Sequence, residues 1–435
     1  MFSQRNSIRS LLLLCGFLFS LSFLSKADTH YVATNGPGPS PYTSWETAAS
    51  NIQWAVDTAT AGDTVLVSNG TYYLTNQINI LAAITCASVN GRSVTIVNGN
   101  YPNYTNRCFS ITNATLDGFT ISNGYFDCVL GGTIYAGGGI HAYNALIKNC
   151  AIVNNVASNV MISPNHAWGG GARLYSSSIS NCIVSGNRVL AFYSRGGGIC
   201  AEKSTISVCT IDSNQCFGDG FRRGAGVMIE ATSGEKLEDN SLGYNIGDNA
   251  IMYADYGNSI FIRNCLVHHN TGCGIAGWSG LSRITIQNCT IVSNVGTTCG
   301  GLNIGTVNAK TTIVENVVSY WNVGTVSNFA YLGGTGVLHI INSCIAPTSS
   351  FPSAGAGLPT EVYYTNNIES NPRFVNKDAD DWRLSPNSPC LNAGTNQDWM
   401  TNAVDLDKRL RIRYGTVDMG AYECIYEGTI YRLGI

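Results

Sequence analysis

Ile147-Lys148-Asn149-Cys150-Ala151-Ile152-Val153-Asn154-Asn155 decides the fold, because its pattern keeps returning. The pattern is hydrophobic, any, Asn, Cys, any, hydrophobic, two further residues, Asn. It recurs as ISNCIVSGN at Ile179–Asn187, ISVCTIDSN at Ile206–Asn214, IRNCLVHHN at Ile262–Asn270 and ITIQNCTIVSN at Ile284–Asn294. Weaker copies lie at Leu116–Gly124, Leu237–Asn245, Ile313–Asn322 and Ile340–Ile345. With Cys150 as reference, the equivalent positions are Gly118, Cys182, Cys209, Asn240, Cys265, Cys289, Asn316 and Ser343, separated by steps of 24 to 32 residues. A period of that size with variable insertions marks a solenoid whose units stack around one core. Each unit is rich in β-branched residues, alternates apolar with polar positions and lacks helical periodicity, which selects strands.

After most copies the chain passes a glycine cluster (Gly137–Gly139, Gly169–Gly171, Gly196–Gly198, Gly224–Gly226, Gly272–Gly274, Gly300–Gly301) and re-enters a strand. Each turn therefore holds at least two strands joined by a glycine-permitted bend. The closing Asn of each copy suits a left-handed turn, and stacked amides of this kind would hydrogen-bond as a ladder. Over residues 63–366 the pattern resembles the right-handed parallel β-helix proteins of the pectate lyase-like superfamily. The resemblance implies an all-β solenoid of about ten coils; that fold hosts many chemistries.

The first residues read as an export leader. Arg5 and Arg9 precede the apolar run Leu11–Leu24, and Ser25-Lys26-Ala27 fits a cleavage site. The run is too short for a membrane span, and no later stretch is long enough. Charged residues make up only 12% of the chain and the formal net charge is −3, which gives no reason to expect nucleic acid or an anionic membrane as partner. Fifteen of the 16 cysteines remain beyond the leader. Cys150, Cys182, Cys209, Cys265 and Cys289 share one inward register and read as a packed stack of free thiols. Outside that column, Cys108 with Cys128 and Cys390 with Cys424 are the candidate disulfides.

Residues 28–62 read as an N-terminal cap, with an amphipathic helix around Ala48–Thr58 covering the open end of the core. Ala61-Gly62-Asp63-Thr64-Val65-Leu66-Val67-Ser68-Asn69-Gly70-Thr71-Tyr72-Tyr73-Leu74 resembles the opening coil of secreted β-helix proteins. Near the other end, Asn371-Pro372-Arg373-Phe374, Trp382–Gly394 and Asp418-Met419-Gly420-Ala421-Tyr422-Glu423 resemble the C-terminal module of exported choice-of-anchor Q proteins. This defines a capping module at 367–424 and a tail at 425–435. Asp405, Asp407, Asp418 and Glu423 with Arg409 and Arg411 fit either a salt-bridged latch or a calcium site; Lys408 stands where the family usually has Gly, against a calcium loop.

No P-loop, nucleophile elbow or zinc signature is present, and the aspartate cluster of pectate lyases has no residue-by-residue match. The repeat register instead offers a face. Aligned after the glycine clusters, one outward column reads His141, Arg173, Cys200, Met228, Ala276, Asn303 and the next Tyr143, Tyr175, Glu202, Glu230, Trp278, Gly305. Glu202 and Glu230 thus stand one rung apart, a spacing that suits divided acid and nucleophile roles, with Arg173 and His141 in support. The plainer reading of the same pair is two solvated glutamates at strand ends. The longer repeats insert loops beside this face, carrying His166, Trp168, Tyr193, Arg195, Asp219 and Arg222. Stacked loops make a ridge, and a ridge beside a sheet makes a groove for sugar rings. His268 and His269 lie on another turn, with no carboxylate partner nearby in the repeat register, and read as lone surface residues. Two functions follow: a secreted or surface protein, expected as a monomer, that binds polysaccharide without changing it, or a polysaccharide lyase or glycoside hydrolase.

Overall fold

The computed structural model describes residues 27–128, 137–160, 165–231, 234–255, 259–279, 283–306, 311–325, 328–331, 334–345 and 359–425. The apolar run Leu11–Leu24 and residues 426–435 lie outside them. The described chain is a right-handed parallel β-helix of about nine turns, close to the ten read from the repeats. Three long parallel sheets run its length: sheet A has 13 strands, sheet B 11 and sheet C 14. One coil shows the plan. Ile140–Tyr143 lies in sheet C, Leu146–Lys148 in A, Ala151–Val153 in B, and Val156–Asn159 back in C.

Each corner is made by two residues. The first takes a positive φ, as at Asn144 (50°), Asn149 (56°) and Asn154 (56°). The second is small or polar, points inward and is buried: Ala145, Cys150 and Asn155. The left-handed residue is therefore the one before the closing Asn, because the closing Asn is needed inside. Its amide forms the expected ladder. The Asn155 side chain donates to Asn187 Oδ1 at 3.0 Å, Asn187 to Asn214 at 3.0 Å, Asn214 to Asn245 at 3.1 Å, Asn245 to Asn270 at 2.9 Å, Asn270 to Asn294 at 2.8 Å and Asn294 to Asn322 at 2.9 Å. Each Oδ1 also accepts the backbone N–H of the preceding rung's Asn, and each Nδ2 donates to a core-strand carbonyl such as Ile152 or Val184.

The cysteine column is the same device at the preceding corner, between sheets A and B. Cys150 N–H bonds Cys182 Sγ at 3.3 Å, and the thiols of Cys150, Cys182, Cys209, Cys265 and Cys289 each donate to the carbonyl two residues earlier. Asn240 and Ser343 replace cysteine in that role. The register of two weak copies shifts by one residue: Phe119 and Val317, both fully buried, occupy the inward position, while Gly118 and Asn316 take the positive φ before it. All fifteen described cysteines are free and buried. This overturns both proposed disulfides. Cys108 sits in the main core and donates to Ser122 O, whereas Cys128 belongs to a separate cluster with Ala157 and Val189. Cys390 and Cys424 pack as thiols against Val318, Leu384 and Met419.

The N-terminal helix is shorter than expected, Ile52–Thr58, capped by Asn51, whose side chain accepts from Gln53 N. Ile52, Ala55 and Val56 join the solenoid core. At the other end, residues 371–424 lie along the outer face of sheet B over the later coils. Trp382 packs on Leu266 and Val292, Ala421 N–H bonds Thr290 Oγ1, and Gly420 N–H bonds Asn316 O. Inside the module, fully buried Arg411 pairs with Glu423 at 3.2 Å. Asp405 accepts the N–H groups of Arg409 and Glu423, and Asp418 those of Asn392 and Cys424. Asp407 pairs with Arg383 and Arg409, so the four carboxylates are spent on backbone donors and three guanidinium groups, the geometry of a latch.

Three predictions follow from these contacts. Asn214→Ala orphans the Asn187 N–H and the Val184 carbonyl, and should lower stability in urea by about 2–4 kcal/mol, against less than ~0.5 for exposed Asn90→Ala. Native protein should expose no thiol to a thiol reagent, and unfolded protein all fifteen beyond the leader; a lower count in denaturant would mean disulfides. Burial pushes the Glu423 carboxyl from 4.5 up to about 9, with Arg411 opposing and Asp418 reinforcing the shift. Folding then takes up a proton, so this stabilisation is full below about 4.5 and fades as pH rises toward 9. The melting temperature should fall across that window, and Glu423→Gln should flatten the fall.

Candidate functional site

Sheet C is where the coils differ. In the later coils its outer run is one strand, Ile246–Asp255 or Thr271–Ser279. In earlier coils the same path is interrupted by a loop, so that Val156–Asn159 and Ala172–Tyr175, for example, are separate strands. The extra length of those repeats leaves and re-enters the stack at this one place. The loops themselves stack: His166–Trp168, Tyr193–Arg195 and Arg222–Arg223 form a small parallel sheet, the expected ridge.

Strand pairing confirms both outward columns, with one further rung between Met228 and Ala276: Met252 in the first column and Ala254 in the second. Outward does not mean open here. Cys200, Met228, Met252 and Ala276 are buried in a cluster with Trp168, which the ridge lays over them. The sequence could place these residues outside the solenoid but not beneath a lid.

Four charged residues meet there. Arg173 Nη2 donates to Glu202 Oε2 at 2.8 Å and to Glu230 Oε2 at 3.4 Å, and Arg195 Nη1 donates to Glu230 Oε1 at 3.0 Å. Arg173 also donates to Cys200 Sγ at 3.4 Å. The indole of Trp168 faces both guanidinium groups, 4.9 Å from Arg195 and 5.3 Å from Arg173. The side chains of Arg173 and Glu230 are 3% and 8% exposed, those of Glu202 and Arg195 20% each. Burial raises the Glu230 carboxyl above its ordinary value; Arg173 and Arg195 pull it back and Glu202 pushes with burial. His141 is driven down to about 4 by burial, then by Arg107 and Arg173, and is neutral at physiological pH. Arg107, stacked 3.7 Å over Phe126, carries no repeat signature and was not legible as part of this group.

The aromatic candidates divide. Trp168 is 7% exposed and packs the ion cluster, so it offers no ring face to a ligand. Tyr143 and Tyr175 stack at 5.1 Å and 5°, with Lys203 Nζ on the Tyr175 hydroxyl at 2.8 Å. On the ridge, His166, Tyr193 and exposed Phe221 form a second ladder with centroid spacings of 4.8 and 5.6 Å. Beside the ridge lies an open groove of about 430 Å³ lined by Val160, Asn165, Leu190, Phe192, Phe217 and Asp219, among others. None of the four ion-cluster residues lines it. Arg222 points away, paired with Asp248 at 3.0 Å. The side chain of Trp278 lies outside the described residues, though its backbone pairs with Ala254 and Gly305. His268 and His269 are not lone surface residues: His269 meets Asp380 at 3.4 Å. The partner comes from a segment 111 positions on, which repeat spacing does not relate to them. Among the described residues no helix is long and apolar enough to cross a membrane.

The chain's residues 140–318 match the family described as right handed beta helix region. No match is found among the curated proteins. Of solved structures, pectate lyase Pel9A aligns over 92% of this chain and 97% of its own, with 17% identity and a TM-score of 0.50. A rhamnogalacturonan lyase aligns over 82% and 95% with 13% identity and a TM-score of 0.40, and Dettilon tailspike protein over 77% and 68% with 12% identity and 0.42. At 17% identity the likeness to Pel9A is one of fold, the right-handed parallel β-helix.

Proposed function

We propose that this chain is exported and binds polysaccharide, outside the cell or at its surface, without cleaving it. The observation that carries this reading is the separation of the groove from the charged pair. Glu202 and Glu230 are neutralised by Arg173 and Arg195 under Trp168, while the open groove beside them is aromatic and has Asp219 as its acidic group. Phe192 and Phe217 line that groove, and a sugar offers an apolar face to stack on such rings and hydroxyls to bond at its edge. Export rests on the leader, Arg5 and Arg9 before Leu11–Leu24. The resemblance of residues 371–424 to the choice-of-anchor Q module supports a place at or beyond the cell surface.

A second reading is favoured by one feature. Glu202 and Glu230 are paired rung neighbours, about 4.8 Å apart in backbone spacing, and burial raises Glu230. A carboxyl raised by burial, with a second carboxyl at that spacing, is what a retaining glycoside hydrolase uses.

The deciding experiment incubates purified residues 28–435 with acidic and neutral polysaccharides, follows new reducing ends, and measures retention on the insoluble ones. Binding without cleavage predicts retention on at least one glycan and no product. Phe217→Ala and Phe192→Ala should each weaken retention about 5- to 30-fold, the value of one or two kcal/mol of stacking, while Glu230→Gln leaves it within about twofold. Product release that Glu230→Gln cuts by 100-fold or more would establish a cleaving enzyme, lyase or hydrolase, instead.

A further inference from the structure

We propose that His268, His269 and Asp380 form a site for one divalent metal ion of the zinc class, and that the ion staples the C-terminal module to the solenoid. Three donor atoms, one from each residue, lie within 4.8 Å of one another. The Nδ1 atoms of the two histidines are 3.2 Å apart, and His269 Nδ1 is 3.4 Å from Asp380 Oδ1. Ligands about 2.05 Å from a tetrahedral zinc are separated by ~3.3–3.4 Å along each edge of the tetrahedron. Both distances are also longer than the ~2.7–2.9 Å of a charge-assisted hydrogen bond. A purely hydrogen-bonded reading would ask the single Nδ1 proton of His269 to serve two acceptors at once.

The surroundings are built for the same arrangement. On sheet B, Asp212, Gly243 and His268 are register partners on three successive rungs. A Cβ at Gly243 would fall 2.7 Å from His268 Nε2, so the imidazole lies over that glycine with Nε2 on the side where Asp212 stands two rungs away. Asp212 Oδ1 is buried and has no hydrogen-bond partner among the described residues. The Asp212 carboxylate acts electrostatically on the His268 ring, and a carboxylate behind the ring, away from the coordinating nitrogen, is the usual outer partner of a histidine metal ligand. Asp380 is held from its other oxygen by the Tyr244 hydroxyl at 2.7 Å, and Tyr244 stacks on His269 at 5.3 Å and 6°. Two nitrogens and one carboxylate oxygen select a borderline ion over calcium or magnesium. His269 and Asp380 are 31% and 38% exposed, which leaves the fourth position to water. The ligands come from a solenoid coil and from the module lying on it, so binding couples the two.

The untagged protein is freed of metal with a chelator and titrated with Co²⁺, then Zn²⁺. One equivalent of Co²⁺ should bind with the visible ligand-field bands of four-coordination and be displaced by Zn²⁺, with Kd of about 1 µM or tighter. Zn²⁺ should raise the melting temperature relative to chelator. His269→Ala and Asp380→Asn should each weaken binding by ~100-fold, and Asp212→Asn by about 10-fold. His339→Ala, on the far stack with Tyr363, should leave binding unchanged. Asp380→Asn keeps an oxygen for Tyr244, so a folded variant is expected and its melting curve without metal is the control. Absence of stoichiometric binding, or binding equally tight in His269→Ala and Asp380→Asn, overturns the proposal.

Discussion

The buried asparagine ladder is the contact on which the rest of this structure depends. At the corner between sheets B and C the chain must turn inside a dry core, where unpaired backbone groups cost ~1–3 kcal/mol each. An inward amide supplies both a donor and an acceptor, and an identical amide on the next rung supplies the complement. The stack is satisfied only when successive coils are in register. The cysteine and serine column does the same at the preceding corner, with thiol and hydroxyl in place of amide. One side chain per corner therefore closes a local turn and aligns its neighbours.

Register has consequences for chemistry. Once the coils are aligned, any residue type repeated at one position becomes a line along the surface, and unlike residues on neighbouring rungs become contacts. Arg173, Cys200, Glu202 and Glu230 meet this way, from strands that are 27 and 28 residues apart. Because the inserted loops all leave the stack at sheet C, they meet one another as well. Their side sheet brings Arg195 and Trp168 down onto the same charges. Guanidinium, carboxylate and indole bury one another there, and the open aromatic surface is displaced to the flank of the ridge.

Much of this was legible because the coil repeats. The columns through His141 and Tyr143 were readable from the spacing after each glycine cluster, as was the stacking of the loops. The slips of register have one origin. In LDGFTISNG and IVENVVSYWN the corner lacks both cysteine and a paired polar residue, so alignment by residue type slipped by one, and Phe119 and Val317 were missed as core. Contacts that do not follow the period stayed invisible: Arg107 near His141, Trp168 over Arg173, Asp380 against His269.

The sequence by itself determined the solenoid, its register and the fate of each repeated position, because a period carries both the local turn and the neighbour it will meet. The tertiary structure alone decided what is exposed and what is paired. Loop closure over sheet C, and the docking of residues 371–424 on sheet B, join segments that no period relates. Whether Glu230 faces solvent or two arginines depends on where such a segment comes to rest.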